Sequence, residues 1–158
     1  MDTGKKIAID CDDAALELKK VIFLHLKAKG FIIYDLNYSD NKNALYPEIG
    51  YNLAQKIKSG EYDRGILICG TGLGMAIIAN KVEGVYAGVC HDVFSAERLA
   101  KSNDAQIITM GARVIGSELA KMIVNAWLSS DFEGGSSTQK VQQIRALEKI
   151  SFHGVSEG

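Results

Sequence analysis

Short apolar runs alternate with amphipathic stretches along this chain. Lys6-Ile7-Ala8-Ile9-Asp10 reads as a short buried strand. Residues 14–29 then read as a helix, with Leu18, Val21, Ile22 and His25 along one face. Phe31 to Leu36 is the next strand, and the polar loop "NYSDNKNALYP" follows it. Its proline, Pro47, opens a helix at about the first position, where the backbone N–H has no partner to lose. Ile49, Leu53, Ala54 and Ile57 form the apolar stripe of that helix. Ile66 to Cys69 is the third strand, and a short glycine-rich turn leads from it into a third helix. Val85 to Cys90 is the fourth strand, followed by a polar helix over residues 93–101. Gln106 to Met110 is the fifth strand. Ile115, Leu119, Met122, Ile123, Ala126 and Trp127 recur at helical spacing after it, and Met110, Met122 and Trp127 read as core. The stretch "EGGSSTQK" reads as a turn before a last helix to about Ile150, and the tail from about residue 151 reads as frayed.

Five strands alternating with helices predict a parallel sheet covered on both faces, an α/β fold in one domain over residues 1–158. Ligands of such sheets sit beyond the carboxyl ends of the strands. Four segments fall there: Cys11-Asp12-Asp13, Cys69-Gly70-Thr71-Gly72, Cys90-His91-Asp92 and Gly111-Ala112-Arg113.

Composition narrows the function classes. The chain has 158 residues, 47% of them hydrophobic, which suits a packed core rather than disorder. A net charge of −1 gives no basic excess for nucleic acid or an anionic membrane surface. No apolar run approaches the roughly 20 residues of a membrane span, and "MDTGKKIAID" lacks the apolar core of a secretory leader. The three cysteines, Cys11, Cys69 and Cys90, form no C-x-x-C pair, so neither a zinc knuckle nor a dithiol is predicted, and a reducing cytoplasm is the expected location.

The glycine loop "ICGTGLGMA" fails as a nucleotide cradle on spacing. A dinucleotide fingerprint reads G-x-G-x-x-G after the first strand, whereas this loop reads G-x-G-x-G after the third. A phosphate-binding P-loop needs a lysine that is absent after Gly74. The physics of the loop survives. Glycines admit close approach to backbone N–H groups, and a helix N-terminus adds partial positive charge. Together they suit a developing oxyanion, and the same field favours the thiolate form of Cys69. A thiolate there can take a proton alpha to a carbonyl or act as a nucleophile. The alternative is a cysteine that is simply a small buried hydrophobe.

The motifs "CGTGLG", "ANK", "SAERLA", "GARVIG" and "LAK" together resemble the ribose-5-phosphate isomerase B and galactose-6-phosphate isomerase family, from the first strand to about Lys140. The resemblance implies a Rossmann-like three-layer αβα sandwich with a five-stranded parallel sheet. It implies a homodimer, or a tetramer, with the active site shared between subunits. It implies aldose–ketose interconversion of a sugar phosphate through a cis-enediol, without metal or cofactor. By matching position it lends Cys69 the role of proton shuttle. Some members use a glutamate further along the loop; here that position is Met75. Gly70, Thr71, Gly72 and Gly74 match the loop around the enediolate oxygens, Asp12 and Asn103 the sugar-binding residues, Arg113 a phosphate-binding arginine, and Tyr46-Pro47 a pair lining the pocket.

The departures cluster at the substrate. Asp13 stands where the family has histidine, and Ser102 where it has the ring-opening histidine. Ser136 to Lys140 replace a segment with two arginines, and Lys140 offers only a point charge where arginine offers a bidentate fork. Arg113, Lys140 and Arg145 are the cations left to meet a phosphate. Serine has no pKa near 7 and cannot replace histidine as general acid or base. A tetrose 4-phosphate needs no ring opening, because its 4-oxygen carries the phosphate. The resemblance implies a ribose 5-phosphate type isomerase of the pentose phosphate kind, and Ser102 makes tetrose 4-phosphate isomerisation the second reading. A non-catalytic ligand-binding paralogue, or a cysteine redox protein, is the reading from another class. His91-Asp92 reads as a strand-end turn with an N-cap aspartate rather than a dyad, and Arg98 and Lys101 as a solvated helix face.

Overall fold

The computed structural model describes residues 2–40 and 42–157. Met1, Asn41 in the polar loop and Gly158 in the tail lie outside the described residues. Five strands, β1 (Lys6–Cys11), β2 (Ile32–Asp35), β3 (Arg64–Cys69), β4 (Ala87–Val89) and β5 (Ile107–Gly111), pair in parallel in the order β2-β1-β3-β5-β4. Among the described residues six α-helices flank them: α1 (Leu16–Ala28), α2 (Tyr46–Lys58), α3 (Leu73–Ala79), α4 (Val93–Lys101), α5 (Ser117–Leu128) and α6 (Ser136–His153).

Alternation along β1 and β3 sorts the two cores. Ile7, Ile9, Ile66 and Ile68 face α1, α4 and α5, with Trp127 fully buried among them. Ala8, Leu67 and Cys69 face α2 and α3, against Ile49, Leu53 and Met75. Both faces are covered, so the strands read as continuous apolar runs. Helix α6 lies beside β4: Val141 is buried, and Glu148 accepts hydrogen bonds from the Gly84 N–H and the Tyr86 hydroxyl.

Four local expectations are corrected. A single 3-10 turn, Asp13–Ala15, precedes α1, because Asp12 accepts the Ala14 N–H and fixes a cap before the α-helix begins. The stripe of α5 is rotated: Ala120, Ile123, Val124 and Trp127 are buried, whereas Leu119 and Met122 are exposed. Ser136 to Lys140 form the first turns of α6, since the turn itself is made by Gly134 and Gly135 at positive φ. That helix continues through His153, three residues beyond the expected end.

Between β1 and β3 the chain reverses its winding. From β1 it moves to β2 through α1, and from β2 it returns to β3 through α2 on the opposite face. The carboxyl ends of β1 and β3 therefore flank a crevice that no crossover fills.

Candidate active site

Asp12 and Cys69 stand side by side at that crevice. Cys11 is in register with Ile68, and the Asp12 N–H donates to the Ile68 carbonyl at 3.2 Å. Cys69 is the last residue of β3, and its parity points it towards α3. Its Sγ accepts the Gly72 N–H at 3.1 Å. The chain reaches that geometry because Gly72 has φ 79°, and a Cβ there would lie 2.8 Å from the Met110 backbone carbon. The Thr109 hydroxyl donates to the Gly72 carbonyl at 2.8 Å from inside the sheet. Leu73 N–H is taken by Thr71 Oγ1 at 3.3 Å.

The three thiols differ in their surroundings. Cys11 and Cys90 are buried without a hydrogen bond to sulfur among the described residues, and burial pushes both thiols up to about 12. Cys69, although only 5% exposed, has its sulfur against a helix N-terminus at the sheet's ligand end. Of the three sulfurs, Cys69 is the one that accepts a hydrogen bond at the ligand end of the sheet.

The end of β5 presses on the same loop. Ala112 N–H donates to the Cys69 carbonyl at 2.8 Å, and Arg113 N–H to the Gly70 carbonyl at 3.0 Å. A Cβ on Gly111 would meet Thr71 Cα at 2.6 Å. The Arg113 guanidinium lies over Gly70, 3.4 Å from where a Cβ would be. Gly74 is needed for another reason: the Tyr46 ring occupies the space of its missing Cβ, 2.5 Å away. Tyr46 also lines a cleft of about 580 Å³ with Asp12, Asp13, Ser39, Asn43 and Pro47. One ring thus joins the glycine loop to the cleft. Burial raises the Asp12 carboxyl above the usual carboxylate range; the Ala14 N–H opposes this, Asp13 adds to it and Arg113 opposes it.

Among the described residues, no group of three or more His, Cys, Asp or Glu side chains is placed to hold a metal ion. Met75 is fully buried on the inner face of α3. Asp12, Asp13, Tyr46, Cys69, Gly70, Thr71, Gly72, Gly74 and Arg113 come together at this end of the sheet. Asn103 and Lys140 do not. Asn103 follows α4 and shares a separate cavity of about 260 Å³ with Asn80, Tyr86, Ala105 and Val141, at the amino end of β5. The register runs from Gly65↔Ile107 to Cys69↔Gly111, so the length of β5, roughly 13 Å at about 3.3 Å per residue, separates Asn103 from the Cys69 level. Lys140 lies on the outer surface of α6, one residue before the buried Val141 of that same cavity. Within one chain neither can grip a sugar held at Cys69. Arg145 is paired with Asp104 at 2.8 Å, and Arg98 leans on Glu97 with its Nε buried rather than standing in solvent.

Two contributors escaped the pattern reading. Thr109 is a polar residue inside the otherwise apolar run of β5, and that interruption is its only sequence signal. Asn80 in "ANK" donates to the Ala76 and Ala87 carbonyls and accepts the Ala87 N–H, tying the end of α3 to β4.

Comparison with known proteins agrees with the fold. A family model described as Ribose/Galactose Isomerase matches residues 7–144. The chain is 51% identical to a D-erythrulose-4-phosphate isomerase of Pectobacterium atrosepticum, over 93% of this chain and 97% of the relative. It is 49% identical to a Ribose-5-P isomerase B of Listeria innocua, over 91% and 97%. The structure of ribose-5-phosphate isomerase B from Clostridium thermocellum superposes with a TM-score of 0.87 at 42% identity, over 92% of this chain and 99% of that one.

Proposed function

We propose a function from one premise: the chain belongs to the ribose/galactose isomerase family. It is an aldose–ketose isomerase of a sugar phosphate. Cys69 is the proton carrier. Its sulfur removes the proton from C2 of the open-chain aldose, leaving a cis-enediolate with the negative charge on the C1 oxygen. The proton of the C2 hydroxyl then passes to that oxygen, and the Cys69 thiol delivers its proton to C1 as C2 becomes the carbonyl of the ketose. The N–H groups of Gly70, Thr71 and Gly74 receive the developing oxyanion, since those of Gly72 and Leu73 are already engaged. Asp12 and Tyr46 hold hydroxyls, and Arg113 meets the phosphate. The observation that carries this reading is the Cys69 sulfur at 3.1 Å from the Gly72 N–H, at the switch point of the sheet and beside Asp12.

A single chain's cleft is acidic, with Asp12 and Asp13 on its wall. An anionic substrate then calls for cations beyond Arg113. A second copy of the chain supplies one, Lys140, and brings the neutral amide of Asn103 with it to the Cys69 of its neighbour. Exposed Leu73 and Ile77 on α3, beside the glycine loop, are an apolar surface suited to that contact. Three free cysteines, and the absence of any helix among the described residues long and apolar enough to cross a membrane, support a cytoplasmic enzyme.

Ribose 5-phosphate, with ribulose 5-phosphate as product, is the substrate this reading assigns first. Ser102 favours a second one. It caps α4, with Arg98 leaning on its hydroxyl, and has no group that titrates near neutrality to open a furanose. An open-chain tetrose 4-phosphate removes that need. Measuring kcat/KM over tetrose, pentose and hexose phosphates with unphosphorylated controls decides. The pentose reading expects ribose 5-phosphate to lead; a tetrose phosphate turning over faster transfers the assignment. Activity on no sugar phosphate would remove both.

A further inference from the structure

His91 is neither a dyad partner nor a bystander. Asp92, next to it, is fully used as the N-cap of α4, accepting the Ser95 N–H at 2.6 Å and the Ser95 hydroxyl at 2.7 Å. The imidazole turns the other way, and its Nε2 accepts the Gly111 N–H at 2.9 Å. The reason lies in the ladder between β4 and β5. Ile107 N–H bonds the Tyr86 carbonyl and Cys90 N–H bonds the Thr109 carbonyl. Beyond Cys90 the chain departs towards α4, so the next ladder donor, Gly111 N–H, finds a side chain in place of a strand. A buried N–H without an acceptor is costly, so this donor needs a partner. Gly111 is also the residue against which Thr71 and Gly70 pack, and it immediately precedes Ala112 and Arg113.

We propose that His91 is a positioning residue for the isomerisation: its neutral imidazole, protonated on Nδ1, continues the sheet by one acceptor and fixes Gly111. Through Gly111 it sets the Cys69-Gly70-Thr71 loop and the Arg113 guanidinium against the substrate. This rests on the isomerase reading of that loop. An Nε2 that accepts a backbone N–H must be bare, which dictates the tautomer.

The test has two arms. Nitrogen-15 NMR of the resting wild-type protein, with the His91 signals assigned by their loss in His91→Gln, reads the tautomer without any substrate. The expected result is Nδ1–H with a bare Nε2; a protonated Nε2 at neutral pH overturns the proposal. The second arm compares three variants. Gln carries its amide oxygen four bonds from Cα, as His carries Nε2, while Asn is one bond short and Leu has no acceptor. His91→Gln should stay within about threefold of wild type in kcat/KM, whereas His91→Asn and His91→Leu should lose at least about tenfold, with KM raised because Arg113 has shifted. If Gln is no better than Leu, or all three keep wild-type KM, His91 is not a positioning residue. Should the wild type isomerise nothing, the functional reading falls while the tautomer still decides the placement of His91.

Discussion

At the scale of single residues, the site depends on glycines whose missing side chains are already occupied by something else. Gly111→Ala places a Cβ 2.6 Å from Thr71 Cα and 2.8 Å from the Gly70 carbonyl, both backbone atoms that cannot swing away. The loop must move by a few tenths of an ångström or more. We expect kcat to fall by up to about 10²-fold, as misplacement of reacting groups does, while the fold persists by circular dichroism. Unchanged kcat in Gly111→Ala would show that the β5 end does not set the loop. Cys69→Ala should lower kcat by at least about 10²–10⁴-fold, the usual contribution of a general base, with substrate still bound by calorimetry. Retained turnover would exclude the sulfur as proton carrier. The motif around Cys69 was legible from glycine spacing and the preceding apolar run. Thr109 and His91 were not, because their roles are hydrogen bonds to backbone atoms 37 and 20 residues away in sequence.

At the scale of elements, Asp92 and α4 allow a signed pH test. The Ser95 N–H and then the Ser95 hydroxyl hold the Asp92 carboxyl below the usual carboxylate range. A depressed folded pKa means that the unfolded chain takes the proton first as pH falls. The cap therefore stabilises fully above the unfolded carboxylate value of about 3.9, and its contribution disappears as pH drops through the lower folded value. Thermal melts of wild type and Asp92→Ala should differ by a constant interval above about pH 5 and converge in acid. An interval that widens in acid would contradict the assignment. This cap was readable, since aspartate after a strand and before an apolar helix face is a start signal. The start of α6 was not. Serines and a threonine favour turns locally, yet burial of Val141 and the Glu148 contacts hold that segment as helix. On α5 the apolar spacing gives the period, but contact with α1 and α4 chooses which residues face inward.

At the scale of the whole molecule, parallel strands put Cys69 and Asn103 at opposite ends of one sheet. Matching positions in a sequence motif carry no information on which end of which copy they occupy, so this separation emerged only from topology. If two copies share each site, Cys69→Ala and Asn103→Ala subunits complement one another. Mixed one to one and re-associated, half of the dimers are mixed and each has one intact site, giving about a quarter of wild-type activity from two impaired proteins. No recovery on mixing, with exchange of subunits shown by mass, would rule out the shared site.

In the proposed mechanism Cys69 moves a proton between neighbouring carbons of a sugar phosphate. The most direct test is turnover in deuterium oxide, followed by NMR at C1 and C2, starting with ribose 5-phosphate and an erythrulose 4-phosphate control. Deuterium should enter C1 of the ketose, or C2 of the aldose, with wild-type protein, and none above background with Cys69→Ala. Undiminished interconversion and exchange in Cys69→Ala would contradict the mechanism.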